Sequence, residues 1–227
     1  MSQLKTSSLR AIGLIAALGV AVIGAGELLM HWTGHFEDTS DAGGPFDFLL
    51  GISRERLAAG HFMSVLLAPA YFLGYWQVCE RLRPMGAWAR RAFLGGSVYV
   101  LTMAAVWIGS RAYLARSLQL TGSDGVRQAL SDEYALLLET LIWILRFGMI
   151  GISLAFAFMV ARRKTSYPAW MALLNPFTLL MLVFSTLFVP GLGPHLVPAA
   201  LNVAHVPFFL LSALTPSVSR SGSKSIA

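Results

Sequence analysis

The feature that most constrains this chain is a run of 55 residues, 165–219, without a single lysine, arginine, aspartate or glutamate. A membrane-spanning helix needs about 20 residues, so the run is long enough for two. The sequence Pro190-Gly191-Leu192-Gly193-Pro194 interrupts it, and a helix does not continue through such a turn. The run therefore predicts two spanning helices joined by a short turn.

Four earlier apolar runs predict four more spans. The composition agrees, since 56% of the 227 residues are hydrophobic and 12% are charged, about half the charged share of a soluble domain. We therefore predict an all-α membrane bundle rather than a soluble enzyme or a disordered chain. The lone Cys79 excludes a disulfide framework and a cysteine-based zinc site. The six predicted spans cover residues 11–31, 58–79, 92–112, 136–160, 168–189 and 197–214.

The distribution of charge predicts the orientation of the bundle. With the N-terminus inside, the cytoplasmic segments carry 11 basic residues and one acid, whereas the outer segments carry five basic residues and eight acids. This satisfies the positive-inside rule, so both termini are predicted to be cytoplasmic. The net charge of +6 then reflects membrane insertion and contact with lipids, not nucleic-acid binding. We predict one domain over residues 1–216 and a polar cytoplasmic tail over 217–227.

Two local features complete the predicted topology. Ser53 is suited to cap the second helix, and Ser131 or Asp132 is suited to cap the fourth after an outer loop over residues 112–133. The first apolar segment also resembles a signal peptide ending near Ala25, but it continues to Met30, which favours a retained span.

The outer half of the predicted bundle holds the polar residues that point to chemistry. Glu27, His31 and His35 follow one another at intervals of four, which places them near one face of a continuous helix. His61 opens the second helix at the same depth. A carboxylate and imidazoles can bind a divalent metal such as zinc, iron or copper. They also serve as general acid and base without a metal, and the sequence requires no cofactor.

Arg146 is the most costly residue to place in a bilayer, since it lies near the predicted midplane. We expect it to face the bundle interior, either in a structural pair with Glu27 or holding an anionic group of a substrate. Glu139 lies on the same helix face, about 10 Å away. Trp143 is deep enough to line a substrate cavity.

The last span carries Asn202 and His205 on one face beside Pro207. Both side chains can hydrogen-bond to neighbouring helices, which is the ordinary use of such residues. We include His205 among the candidate catalytic residues, with Glu27, His31, His61 and Arg146. The candidate substrate-binding residues are Asn202, Glu139 and Trp143.

Several short motifs resemble an uncharacterised bacterial family of small multi-pass membrane proteins. They are Gly24-Ala25-Gly26-Glu27-Leu28-Leu29, Gly60-His61, Asn175-Pro176, and Asn202 followed by Phe208-Phe209. That family has an acid in its first helix and an asparagine with aromatic residues in its last. The resemblance covers most of the chain and implies six helices in a bacterial inner membrane, with no assigned activity.

Three functions remain open from the sequence. The first is a membrane enzyme that uses acid–base chemistry to protonate, isomerise, cyclise or hydrolyse a lipophilic isoprenoid, sterol-like or acyl substrate. The second is a carrier or channel, which the lack of an internal repeat disfavours. The third is an accessory or assembly subunit whose polar residues only hold helices together. The first predicts an enclosed cavity open to the membrane or to the outer side.

Overall fold

A computed structural model describes residues 6–32, 46–162 and 165–216, with Glu139 described only in its backbone. The described residues are helical and contain no strand. The eight helices of this part are α1 (Thr6–His31), α2 (Arg54–Leu67), α3 (Pro69–Arg81), α4 (Ala87–Leu120), α5 (Asp124–Ala161), α6 (Pro176–Ser185), α7 (Gly193–Leu196) and α8 (Ala200–Leu214). His35 and the tail 217–227 lie outside the described residues.

Five helical segments are long and apolar enough to cross a membrane, as an integral membrane protein requires. They are Thr6–His31, Arg54–Arg81, Ala87–Leu120, Asp124–Ala161 and Gly193–Leu214. The predicted span 168–189 is different, because its helical part is the shorter segment Pro176–Phe188. At 1.5 Å per residue this segment is about 20 Å long, against about 30 Å of hydrocarbon.

Proline and its neighbours explain where several of these helices begin. Pro69 is the first residue of α3 and separates it from α2 at Ala68. Pro176 likewise opens α6, where the side chain of Asn175 accepts a hydrogen bond from the Thr178 amide. Ser53 caps α2 as predicted, by accepting from the Arg56 amide. Gly191, with φ of +77°, provides the predicted turn before α7.

The predicted outer loop 112–133 is wrong, because most of it is helical. α4 continues to Leu120 and α5 begins at Asp124, so neither Ser131 nor Asp132 caps a helix. Hydropathy marks the end of a membrane span but not the end of a helix. The added turns of α4 bury Leu114, Ala115 and Leu118, whereas those of α5 over residues 124–133 are mostly exposed. A second apolar cluster, distinct from the main core, joins Leu114, Ala115 and Leu118 of α4 with Leu138 of α5.

α1 packs against α2–α3 and α8, while Leu14, Ile15 and Leu18 are exposed on its remaining face. A Cβ atom added to Gly13 would lie 2.7 Å from the Ala213 Cβ, and one added to Gly24 would lie 3.1 Å from the Asn202 Cβ. α1 and α8 are therefore antiparallel, so the start of α1 and the end of α8 lie together. Arg81, Arg90 and Arg162 lie at the same end as Arg10, and we call it the basic end.

Candidate functional site

The polar residues of the other end surround a small cavity between α1, α2–α3, α4 and α8. The cavity is partly open and has a volume of about 30 Å³, enough for one or two water molecules. Its polar lining consists of Glu27, Ser64, Tyr71, Trp107 and Asn202. The structure therefore brings two of the sequence candidates, Glu27 and Asn202, to one cavity. It adds three residues that the sequence did not single out.

Glycine contacts position Glu27 in this cavity. The backbones of α1 and α2 meet at Gly26 and Gly60, where an added Cβ at Gly26 would lie 2.9 Å from the Gly60 carbonyl oxygen. No larger side chain fits between them, so the next residue, Glu27, is held against α2 and α8. Glu27 is only 6% exposed, and its carboxyl group faces the Asn202 side chain without a hydrogen bond between them.

Three polar atoms that line the cavity have no hydrogen-bond partner among the described residues. They are Ser64 Oγ, Trp107 Nε1 and Asn202 Nδ2, and all three are buried. Buried polar atoms are nearly always paired with protein, water or ligand. A cavity lined by a buried carboxyl group and three such polar atoms is therefore suited to hold water or a polar group of a small molecule.

His205 lies next to the cavity, on the side of the basic end, among side chains that are hydrogen-bonded to one another. Its Nδ1 donates to the Leu201 carbonyl at 2.7 Å, which leaves Nε2 to accept from the Tyr75 hydroxyl at 2.9 Å. The Tyr71 hydroxyl donates to Asn202 Oδ1 at 2.8 Å. His205 is fully buried and contacts the Tyr71 ring without lining the cavity. The structure thus places it one layer behind Asn202.

His31 and His61 lie near this cavity but do not line it. His31 Nδ1 donates to the Glu27 backbone carbonyl at 2.9 Å, and its buried Nε2 has no partner among the described residues. His61 packs edge-on against Tyr113. Among the described residues no three His, Cys, Asp or Glu side chains come close enough to hold a metal ion. The described part therefore offers no ligand set for the metal hypothesis, whose fourth residue, His35, lies outside it.

The prediction that Arg146 faces the bundle interior is wrong. Arg146 is exposed, and its guanidinium lies over the Trp143 ring, 4.8 Å from the ring centroid. Helical side chains lean toward the helix N-terminus, so this arginine runs along its own helix toward the Asp124 end. It does not pair with Glu27, since no ion pair of Arg146 occurs among the described residues. Trp143 is itself 50% exposed, and the Glu139 side chain is outside the described part.

Arg111 takes the place near Glu27 that the sequence had suggested for Arg146. Its charge acts on both Glu27 and His31. No ion pair forms with either, since the ion pairs of the described residues are Glu80–Arg83, Glu80–Arg90 and Asp124–Arg127. The signal for Arg111 was its position inside the last turn of the predicted span 92–112, although its charge was assigned to the outer side.

A second buried polar group, the Arg81 cluster, lies at the basic end. Arg81 donates to the backbone carbonyls of Ser212 and Thr215, the last turn of α8. Ser212 Oγ donates to Gln77 Oε1, so the Tyr167 hydroxyl must donate to Ser212 Oγ. Burial raises the pKa of Tyr167 well above its usual range, which keeps this hydroxyl protonated as a donor. The cluster joins α3, α8 and the segment before α6.

A family model described as "Family of unknown function (DUF6796)" matches residues 1–208. No curated protein matches the chain. No solved structure matches it either.

Proposed function

The chain belongs to that family, and we propose that it is a small membrane-embedded enzyme that acts on a lipophilic substrate by acid–base chemistry. Glu27 is the proposed acid and base. The observation that carries the proposal is the cavity itself, in which a buried carboxyl group faces three unpaired polar atoms, Ser64 Oγ, Trp107 Nε1 and Asn202 Nδ2. A purely structural polar contact has its atoms paired, as the Arg81 cluster largely does.

The apolar part of the lining supports a substrate that arrives from the lipid. Ala68, Ala104 and Ala105 line the cavity and are partly exposed, on α2–α3 and α4. Because these side chains are small, little protein separates the cavity from the outside here, beside the break at Pro69. An isoprenoid, sterol-like or acyl chain lying in this gap would bring its polar end to Glu27. The cavity must widen by movement of α4 against α2–α3 to admit such a chain.

The aromatic layer below the cavity favours an enzyme over a carrier. Tyr75, Phe156, Phe208 and Phe209 are fully buried and pack against one another between the cavity and the basic end. A carrier needs a path to both sides of the membrane. These packed rings occupy the direct route from Glu27 to the Arg81 cluster.

We further propose that the basic end faces the cytoplasm of a bacterium and that six segments cross its inner membrane. The basic residues Arg10, Arg81, Arg83, Arg90, Arg91 and Arg162 at that end support this orientation. The antiparallel contact of α1 with α8 supports an even number of crossings. The fifth crossing would then be the short segment Pro176–Phe188 together with its flanking turns.

A lipid profile tests the catalytic role. Membranes would be extracted from a strain lacking this chain and from the same strain supplied with wild type, Glu27→Gln or Glu133→Gln. Glu133 is exposed on α5, so the same chemical change there serves as the matched control. We expect a lipophilic product with wild type and with Glu133→Gln, and its loss of about a hundredfold or more with Glu27→Gln. A full product level with a normally folded Glu27→Gln protein would contradict the proposal.

A further inference from the structure

Arg111 and Tyr134 form a group of hydrogen-bond donors at the outer rim of the cavity. The Arg111 guanidinium lies 4.5 Å from the Trp107 ring centroid and 5.9 Å from that of Phe46. Phe46 also packs edge-on against Tyr134, 5.9 Å between ring centroids. The aromatic rings hold the faces of the guanidinium, which leaves its N–H edges for an acceptor.

The described residues use little of this donor capacity. Arg111 Nε is buried without a hydrogen-bond partner in the described part of the chain, and the buried Tyr134 hydroxyl has only the Ser110 side chain beside it. The charge of Glu27 acts on Arg111, but the two do not form an ion pair. A half-buried guanidinium with no anion paired to it among the described residues is costly. Such a group is suited to bind a carboxylate or a phosphate, for which arginine offers two parallel donors.

We propose that the substrate is an anionic amphiphile whose carboxylate or phosphate head binds Arg111 and Tyr134. This inference rests on the proposed function and narrows its substrate class. Trp107 links the two places, because it lines the cavity and also supports Arg111 one turn later on α4. The four residues from Trp107 to Arg111 rise about 6 Å along the helix. With its anionic head at Arg111, the substrate can therefore place a reacting group near Glu27. Its hydrocarbon tail would leave the cavity past Ala104 and Ala105.

Binding of defined probes tests the inference. Three probes share one 18-carbon monounsaturated chain: oleate, oleyl phosphate and neutral oleyl alcohol. Their dissociation constants would be measured by native mass spectrometry of the full chain in neutral phosphatidylcholine nanodiscs. Acetate and inorganic phosphate, measured in the same way, report whether the anion alone suffices. We expect wild type to bind the anionic amphiphiles about tenfold or more tightly than the alcohol, with no binding of the free anions at millimolar concentration.

Variants assign this preference to a residue. Arg111→Gln should lose the preference for the anionic amphiphiles over oleyl alcohol, and Arg111→Lys should keep part of that preference. Arg54→Gln, which removes an exposed charge from α2, should leave it unchanged. Tyr134→Phe should weaken it by a smaller factor. Equal affinity of wild type for all three probes would overturn the proposal, as would an undiminished preference in a folded Arg111→Gln protein.

Two further outcomes separate this site from the catalytic proposal. Glu27→Gln should keep the preference for anionic probes, since it leaves Arg111 in place. If Glu27→Gln keeps both that preference and the lipid product, the catalytic role fails and the anion site stands. A preference that emerges only after Glu37, Asp38 and Asp41 are changed to amides would overturn the anion site. Arg111 would then be neutralised by acids of the chain itself.

Discussion

The Glu27 cavity and the Arg81 cluster are both buried polar groups in an apolar bundle, but they differ in how their hydrogen bonds are used. Gln77, Ser212, Tyr167 and both terminal nitrogens of Arg81 have partners, which leaves only Arg81 Nε unpaired in that cluster. Around Glu27, unpaired atoms line a cavity. Pairing stabilises a fold, whereas unpaired polar groups cost stability and persist where a ligand or a reaction uses them.

Arg81 also shows how a lone buried cation is tolerated. Its guanidinium lies 4.5 Å from the Tyr167 ring centroid and donates to carbonyls at the negative end of the α8 dipole. It therefore needs no acid. Arg111 has the aromatic contacts but no carbonyl acceptor in the described structure, which is why we assign it a ligand rather than a structural role.

The largest expected effect comes from breaking the Arg81 cluster. Arg81→Ala leaves the Thr215 carbonyl without its side-chain donor and the Ser212 carbonyl with only the 3.4 Å hydrogen bond from Gln77 Nε2. It also opens a cavity, so we expect the free energy of unfolding to fall by about 3 kcal/mol or more. Reversible unfolding in mixed micelles of increasing SDS fraction measures this. Arg83→Ala is the control, because Arg83 is partly exposed and Glu80 keeps its second ion pair, with Arg90, so the loss should be at most about 1 kcal/mol. Equal effects of the two variants would refute a special role for Arg81.

A smaller effect on stability is expected at Glu27, which we assign a functional rather than a structural role. Glu27→Gln keeps the shape of the side chain and removes a buried ionisable group, so stability should change by less than about 1 kcal/mol, in either direction. The same SDS titration measures it alongside the lipid profile. A loss of about 3 kcal/mol would place Glu27 with Arg81 as a structural residue and would end the contrast between the two regions.

The smallest effect is expected at Arg146. Because its side chain lies on the outer face of α5 over Trp143, Arg146→Leu should change the free energy of unfolding by no more than about 0.5 kcal/mol. Its product level in the lipid assay should equal that of wild type. A strong loss of either would indicate that Arg146 is buried in the working protein, for example against a second copy.

Most of the helical segments were predictable, and the outer helical extensions were not. Five predicted spans lie within the five long apolar helices, since a spanning helix pairs its backbone within its own segment. The sequence also showed that Glu27 and Asn202 are unusual for their depth. It did not indicate the continuation of α4 and α5 through residues 112–133. The α4 part of that continuation buries Leu114, Ala115 and Leu118 in the second apolar cluster, and hydropathy does not register such tertiary contacts.

The sequence by itself determined which segments are apolar, how long they are, and which polar residues interrupt them, because these are local properties of one segment. Only the tertiary structure decided which face of each helix is inside. Arg146 and Arg111 both interrupt apolar runs. Arg146 nevertheless lies on the exterior of the bundle, whereas Arg111 lies near Glu27. The rotation of each helix depends on contacts between distant segments, such as Gly26 with Gly60 and Arg81 with Ser212. When a helix is apolar on every side, its sequence does not indicate which face makes those contacts.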